Sequence, residues 1–255
     1  MTRYIIIGVS FYFIFLLVTF PAGIVYAYWK EYFGQDVALN VSGFEGSIWS
    51  GRASSAVYAN QKLQPIKWSV QPLNLILGQI ALNWEFSIVD GYGKGQAGYS
   101  LLSGYFVKDL DAWLPVETIT PLLKNAAALK PGGKLSIKMD ELYSDGNNIT
   151  AASGSLEWHD AEISLLKKMS LGNYHLDIVQ ADDLISGTVK DKGGPIDLQT
   201  DFSLTPAGDY EVNGLISLRD KERKDLRQAL NSIGKANREG KIPIKQKGNI
   251  SQLGL

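Results

Sequence analysis

The chain has 255 residues, 45% of them apolar, with 25 basic against 26 acidic residues and a formal net charge of -1. That length can bury a real core, and so even a charge balance lacks the positive field that nucleic-acid binding needs, so nucleic acid is excluded as a partner. The absence of cysteine rules out disulfides, thiol catalysis and thiolate metal sites, and the two histidines, His159 and His175, are too few and too isolated for an imidazole metal centre.

Reading from the N-terminus, residues Tyr4 to Trp29 form an apolar run with no charge between Arg3 and Lys30. A bilayer core of about 30 Å needs roughly 20 apolar residues in helix, which this run exceeds. Its backbone must be helical in lipid, where no water can satisfy free amides. Tyr26, Tyr28 and Trp29 sit at the far end, suited to the headgroup zone, and Pro21 predicts a kink or the start of a separate interfacial turn. A cleaved signal peptide is the competing reading, with Val25-Tyr26-Ala27 as its cleavage site. The run is longer than an h-region of about 7–15 residues, and bulky Tyr28 and Trp29 would follow the cut, so an uncleaved transmembrane anchor over 1–30 is favoured. The first segment usually leaves the N-terminus in the cytoplasm, which places the rest outside it, in the periplasm of a Gram-negative cell.

Beyond the anchor, residues 37–108 and 132–218 alternate apolar and polar positions in short runs broken by Gly, Asn and Asp, the pattern of antiparallel strands. The runs Ala81–Ile88, Lys134–Met139 and Tyr174–Val179 are examples. Asp145–Asn148 and Asp191–Gly194 are turn clusters tolerant of positive φ. Two helices interrupt the strands. Thr120 is suited to cap one beginning at Pro121, stopped by Lys130-Pro131-Gly132-Gly133. The other spans about Lys221 to Lys235, with Leu226, Ala229, Leu230 and Ile233 on one apolar stripe. A last strand covers Lys241–Ile244. The two halves, 31–130 and 131–255, share a plan: Gly46–Trp49 answers Gly133–Ser136, and Ile66–Trp68 through Gly78 answers Ser155–Trp158 through Gly172. The expected fold is therefore mainly β, an antiparallel twisted sheet or half-pipe built from two similar strand-rich halves, each closed by a helix.

Chemical motifs are few. Gly93-Lys94-Gly95-Gln96-Ala97-Gly98 matches a dinucleotide fingerprint, but strand-like residues follow it where a helix is required, so a glycine-rich hairpin turn is the expectation. His159 and Asp160 would face opposite sides of a strand. The carboxylates form no acid–base pair, so no catalytic, cofactor or metal residue is assigned and an enzyme is not expected. The basic segment Arg219–Arg227 carries interleaved acids, which marks a solvated helix face rather than a lipid-binding one. Trp49, Trp68, Trp84, Trp113 and Trp158 read first as packing on a sheet face, and second as the wall of an apolar groove for a lipid or a partner strand.

Four stretches resemble the type II secretion system protein N family: the helix ending Phe20-Pro21-Ala22, the block Val41–Ala53, the block Ile66–Ile80, and the late helix with Leu230, Ile233-Gly234 and Gly240. The pattern G-x-[IL]-W-x-G, then W-x-[VL]-x-P-x-x-L and a glycine, is carried by Gly46, Trp49, Gly51, Trp68, Pro72 and Gly78, and Trp158 is the matching tryptophan of the second half. The resemblance implies a non-enzymatic accessory component of the inner membrane. Such a component supports export of folded proteins from the periplasm across the outer membrane, through contacts with other members of the secretion complex. It implies structural roles for the motif residues and no cofactor. The alternative is a membrane-anchored β-groove protein that binds or transports lipid. A hydrolase or transferase, the third class, lacks its constellation.

Overall fold

A computed structural model describes residues 2–32, 34, 39–58, 61–63, 65–120, 129–164 and 167–250. The apolar N-terminal run forms two helices, α1 (Thr2–Val18) and α2 (Ala22–Tyr32), rather than one. The break has a chemical cause. Pro21 has no amide hydrogen to continue the helix, and the Phe20 carbonyl is taken by the amide of Ile48 at 3.0 Å. At ~1.5 Å per residue the 17 residues of α1 span about 26 Å. Among the described residues, no helix is long and apolar enough to cross a membrane.

The rest is mainly antiparallel strand. Two compact units, 1–96 and 97–255, divide within β6. The first contains β1 (Leu39–Gly46), β2 (Ser50–Tyr58), β3 (Gln61–Leu63), β4 (Ile66–Val70), a 3-10 helix (Pro72–Leu77), β5 (Gln79–Ile88) and the start of β6 (Gly91–Ser100). Its strand order is linear, β1-β2-β4-β5-β6, with β3 paired to β2.

The second unit contains β7 (Gly104–Pro115), a short α3 (Val116–Ile119), β8 (Gly132–Ser144), β9 (Ile149–Ser164), β10 (Lys168–Ala181), β11 (Leu184–Asp191), β12 (Ile196–Leu204), β13 (Asp209–Leu218), α4 (Lys224–Ile233) and β14 (Ile242–Asn249). Each strand from β7 pairs antiparallel with the next, up to β14. Because side chains alternate along each strand, the cross-strand partners Leu198, Ile216 and Ile242 share one face, while Asp201, Asn213 and Lys245 share the other. Helix α4 covers the apolar face at its β14 end, placing Leu226 and Leu230 on Met169, Ile196, Ile216 and Ile242. Burying each leucine stabilises by roughly 1.5–3 kcal/mol.

One sequence expectation needs correction. The glycine-rich run 93–98 is not a hairpin turn; it lies inside β6. A Cβ on Gly93 would stand 2.7 Å from Phe86 Cζ, so the missing side chain makes room for the Trp84–Phe86 stack on β5, whose ring centroids are 5.7 Å apart. Thr120 closes α3, with its amide and its hydroxyl both bonded to the Val116 carbonyl. The helix expected from Pro121 falls on 121–128, outside the described residues. The late helix is shorter than expected, and the final strand is longer.

Candidate functional site

The densest set of motif residues lies where the β1–β2 turn meets the break between α1 and α2. Gly46 ends β1 at φ 91, and a Cβ there would approach Ser50 O to 2.5 Å, so only glycine suits this turn. Ser47 closes the turn by donating its amide to Ser50 O, while its hydroxyl oxygen accepts from the amides of Trp49 and Ser50. The turn then reaches the helix end. Trp49 Nε1 donates to Leu17 O at 2.8 Å, Ile48 N donates to Phe20 O at 3.0 Å, and Pro21 bridges Ser47. A helix C-terminus leaves carbonyls without partners, and this turn supplies two donors to them.

Gly51 and Trp68 build the next layer. They are cross-strand partners, and a Cβ on Gly51 would collide with the Trp68 indole and stand 2.5 Å from Glu45 O. The vacated space admits the indole, whose Nε1 donates to Ser47 O at 3.1 Å. Trp68 packs edge-on to Phe44 (6.1 Å), and Phe44 packs against Tyr26 of α2 (5.1 Å). The Tyr26 hydroxyl also accepts from Val41 N and donates to Leu39 O, which Lys30 Nζ reaches as well. These two α2 side chains therefore occupy backbone groups of β1, the first strand in the order.

Pro72 and Gly78 bracket the 3-10 helix: Pro72 occupies its first turn, and Gly78 closes it in the left-handed conformation at φ 69. Its apolar side chains Leu73, Leu75, Ile76 and Leu77 are exposed, Ile76 by 82%, and so is Ile80 at the start of β5. The segment starts two residues after Val70, whose amide donates to Trp49 O. It therefore lies beside the same turn that receives α1.

Trp158 belongs to the second unit. Its Nε1 donates to Gly132 O at 2.9 Å, much as Trp68 Nε1 bonds Ser47 O. Its ring also lines a half-open cavity of about 400 Å³ between α4 and the apolar face of β9 to β13, floored by Leu156, Leu176, Val189, Leu198 and Ile216 and roofed by Leu226, Ala229 and Leu230. Tyr174 borders it with its hydroxyl donated to Leu171 O; burial pushes this phenol up to about 12.

The opposite face carries both histidines, each beside carboxylates. His159 Nε2 lies 3.1 Å and His175 Nδ1 3.2 Å from Glu157, and His175 Nε2 lies 2.9 Å from Asp177. Lys192, bonded to Glu157 at 2.5 Å, holds that carboxyl below its ordinary range. Trp113 stacks near His159 on this side rather than in the core, 5.0 Å between rings, with the Lys134 ammonium 5.9 Å above it. Among the described residues, no group of three or more His, Asp or Glu is placed to hold a metal.

The structure thus gathers Gly46, Trp49, Gly51 and Trp68 around one turn, sets Pro72 and Gly78 beside it, and puts Trp158 at the cavity. Sequence reasoning missed Ser47, Phe44 and Tyr26, which complete the turn. Ser47 was findable as a serine two residues before Trp49, where a hydroxyl can cap a turn. Tyr26 was read only as a headgroup aromatic.

A family model described as type II secretion system (T2SS), protein N, matches residues 38–245. A Vibrio cholerae serotype O1 (strain ATCC 39315 / El Tor Inaba N16961) protein named type II secretion system protein N is 23% identical over 216 residues, covering 83% of this chain and 85% of the relative. A protein of the same name from Aeromonas hydrophila is 21% identical over 240 residues, covering 92% and 93%. No solved structure matches the chain significantly.

Proposed function

The chain belongs to the type II secretion system protein N family, and from that premise we propose that it is an accessory component of the system held at the inner membrane. Its N-terminal helices would be the anchor, with the N-terminus in the cytoplasm and the β-structured bulk in the periplasm. Its work there is to support export of folded proteins across the outer membrane through contacts with other components of the complex, without catalysis of its own.

The observation that carries the anchored reading is the state of α1. Every side chain from Arg3 to its end is exposed, although nearly all are apolar. An apolar surface of that extent needs a solvent other than water. At about 26 Å, α1 falls short of an average bilayer core, but a short span is accommodated by local thinning. The apolar 3-10 helix beside the Trp49 turn adds Leu73, Leu75, Ile76 and Leu77, followed by Ile80 of β5, an apolar set suited to the bilayer boundary. Protein contacts are best served by β14, the last strand in the order, whose outer edge offers backbone groups for strand addition.

The test is deletion in the native bacterium, followed by fractionation of its secreted enzymes. Accumulation in the periplasm, reversed by a plasmid copy, supports the secretion role; unchanged export refutes it. Topology is read separately. Because the chain has no cysteine, a single cysteine replacing Asn147 should react with a membrane-impermeant maleimide added to permeabilised outer membranes. Labelling only after inner-membrane rupture refutes the orientation.

A further inference from the structure

We propose that the slot between α4 and the apolar face of β9–β13 holds the hydrocarbon chain of one lipid molecule. The proposal stands apart from the secretion role and rests on the shape and chemistry of the slot. Its floor crosses five adjacent strands, from Trp158 and Leu156 on β9, through Leu176, Val189 and Leu198, to Ile216 on β13. The volume is about 400 Å³. A helix about 10 Å across would exhaust that volume in roughly one turn, and a peptide strand would bring amides that the slot cannot satisfy. A single polymethylene chain is thin, long and free of polar atoms.

The lining answers that chemistry. Its two polar residues are both engaged elsewhere. Tyr174 donates its hydroxyl to Leu171 O, and the His175 ring is turned to the opposite face, between Glu157 and Asp177. What remains is leucine, isoleucine, valine, alanine and the face of an indole. Apolar cavities of this kind do not hold ordered water and take up apolar guests, and the size falls within the range of ligand pockets, roughly 300–1,000 Å³. The roof is a single amphipathic helix seated through Leu226 and Leu230, with Ala229, its smallest lining residue, above the slot.

The full chain, purified in a fluorinated surfactant that does not mix with hydrocarbon, is titrated with cis-parinaric acid, a fluorescent long-chain fatty acid. The expected result is saturable binding at one site. Ala229→Trp fills the slot from the roof and should weaken binding about tenfold or more, the loss of roughly two buried methylenes. Ser232→Trp, on the exposed side of the same helix, should bind as the parent does. If Ala229→Trp fails to fold by circular dichroism, Leu198→Phe fills the slot from the floor and takes its place. Displacement by palmitate identifies a free fatty acid as the source, and displacement by lyso-phosphatidylglycerol a phospholipid; either supports the site. Absence of saturable binding, displacement by neither competitor, or filled variants that bind like the parent would overturn it.

Discussion

Gly51→Ala puts the architecture of the Trp49 turn to a quantitative test. The added methyl would stand 2.5 Å from Glu45 O and would collide with the Trp68 indole. Neither neighbour yields easily, since Glu45 O is strand backbone and the indole is tied to Ser47 O at 3.1 Å. Overpacking of this kind costs about 1–3 kcal/mol, and displacing the indole forfeits a hydrogen bond worth roughly 0.5–1.5 kcal/mol. A total loss of about 2–4 kcal/mol is expected. Gly193→Ala is the matched control: at φ 82 with no atom within 4 Å, it carries backbone strain alone, about 1–2 kcal/mol. Urea unfolding followed by tryptophan fluorescence and far-ultraviolet circular dichroism measures both. The double variant Gly51→Ala/Trp68→Phe, which removes the distal indole ring, should show a coupling of about 1 kcal/mol. A Gly51→Ala loss no larger than that of Gly193→Ala, or zero coupling with Trp68, would refute the reasoning.

Three further outcomes are expected. Trp49→Phe removes the donor to Leu17 O, so amide exchange around residues 17–22 should quicken while exchange in β8–β13 stays unchanged. Leu226→Ala, at a side chain only 2% exposed, should cost about 2–5 kcal/mol, read as a lower unfolding midpoint. Asp191 is subject to burial, which raises its pKa, but the Arg219 guanidinium at 2.9 Å and the amides of Leu198 and Gly193 outweigh that and hold it below the ordinary carboxylate range. A depressed carboxyl stabilises the fold above its unfolded pKa, and that stabilisation fades as pH falls through the lower folded value. Melting temperature measured from neutral to acid pH should therefore fall less steeply in Asp191→Asn than in the parent.

Much of the fold was legible because strands write themselves locally. Ala81–Ile88, Lys134–Met139 and Tyr174–Val179 all lie within observed strands, and the turns at Asp145–Asn148 and Asp191–Gly194 join β8 to β9 and β11 to β12. Helix α4 announced itself through Leu226 and Leu230. The glycines 93–98 misled because their purpose is set by Trp84 and Phe86 on the neighbouring strand, a relation that no local window contains. The family motif was visible as a string of costly residues, but its physical role was not. That Trp49 serves a carbonyl 32 positions earlier follows from tertiary geometry alone. The cavity was equally hidden, since its walls come from five strands and a helix separated by up to some seventy residues in sequence.

The hold of α2 on β1 also bears on symmetry. A sheet with two free outer edges can add copies of itself end to end without limit, because each addition regenerates the edge it consumed. Here Tyr26 and Lys30 occupy main-chain groups at the start of β1, at Leu39 and Val41, while β14 ends the strand order. An association through β14 alone is self-terminating: two copies joined there close a two-fold pair, and a foreign strand seated there ends the matter with one partner. A chain that pairs through one edge can join a partner in fixed number without the means to polymerise.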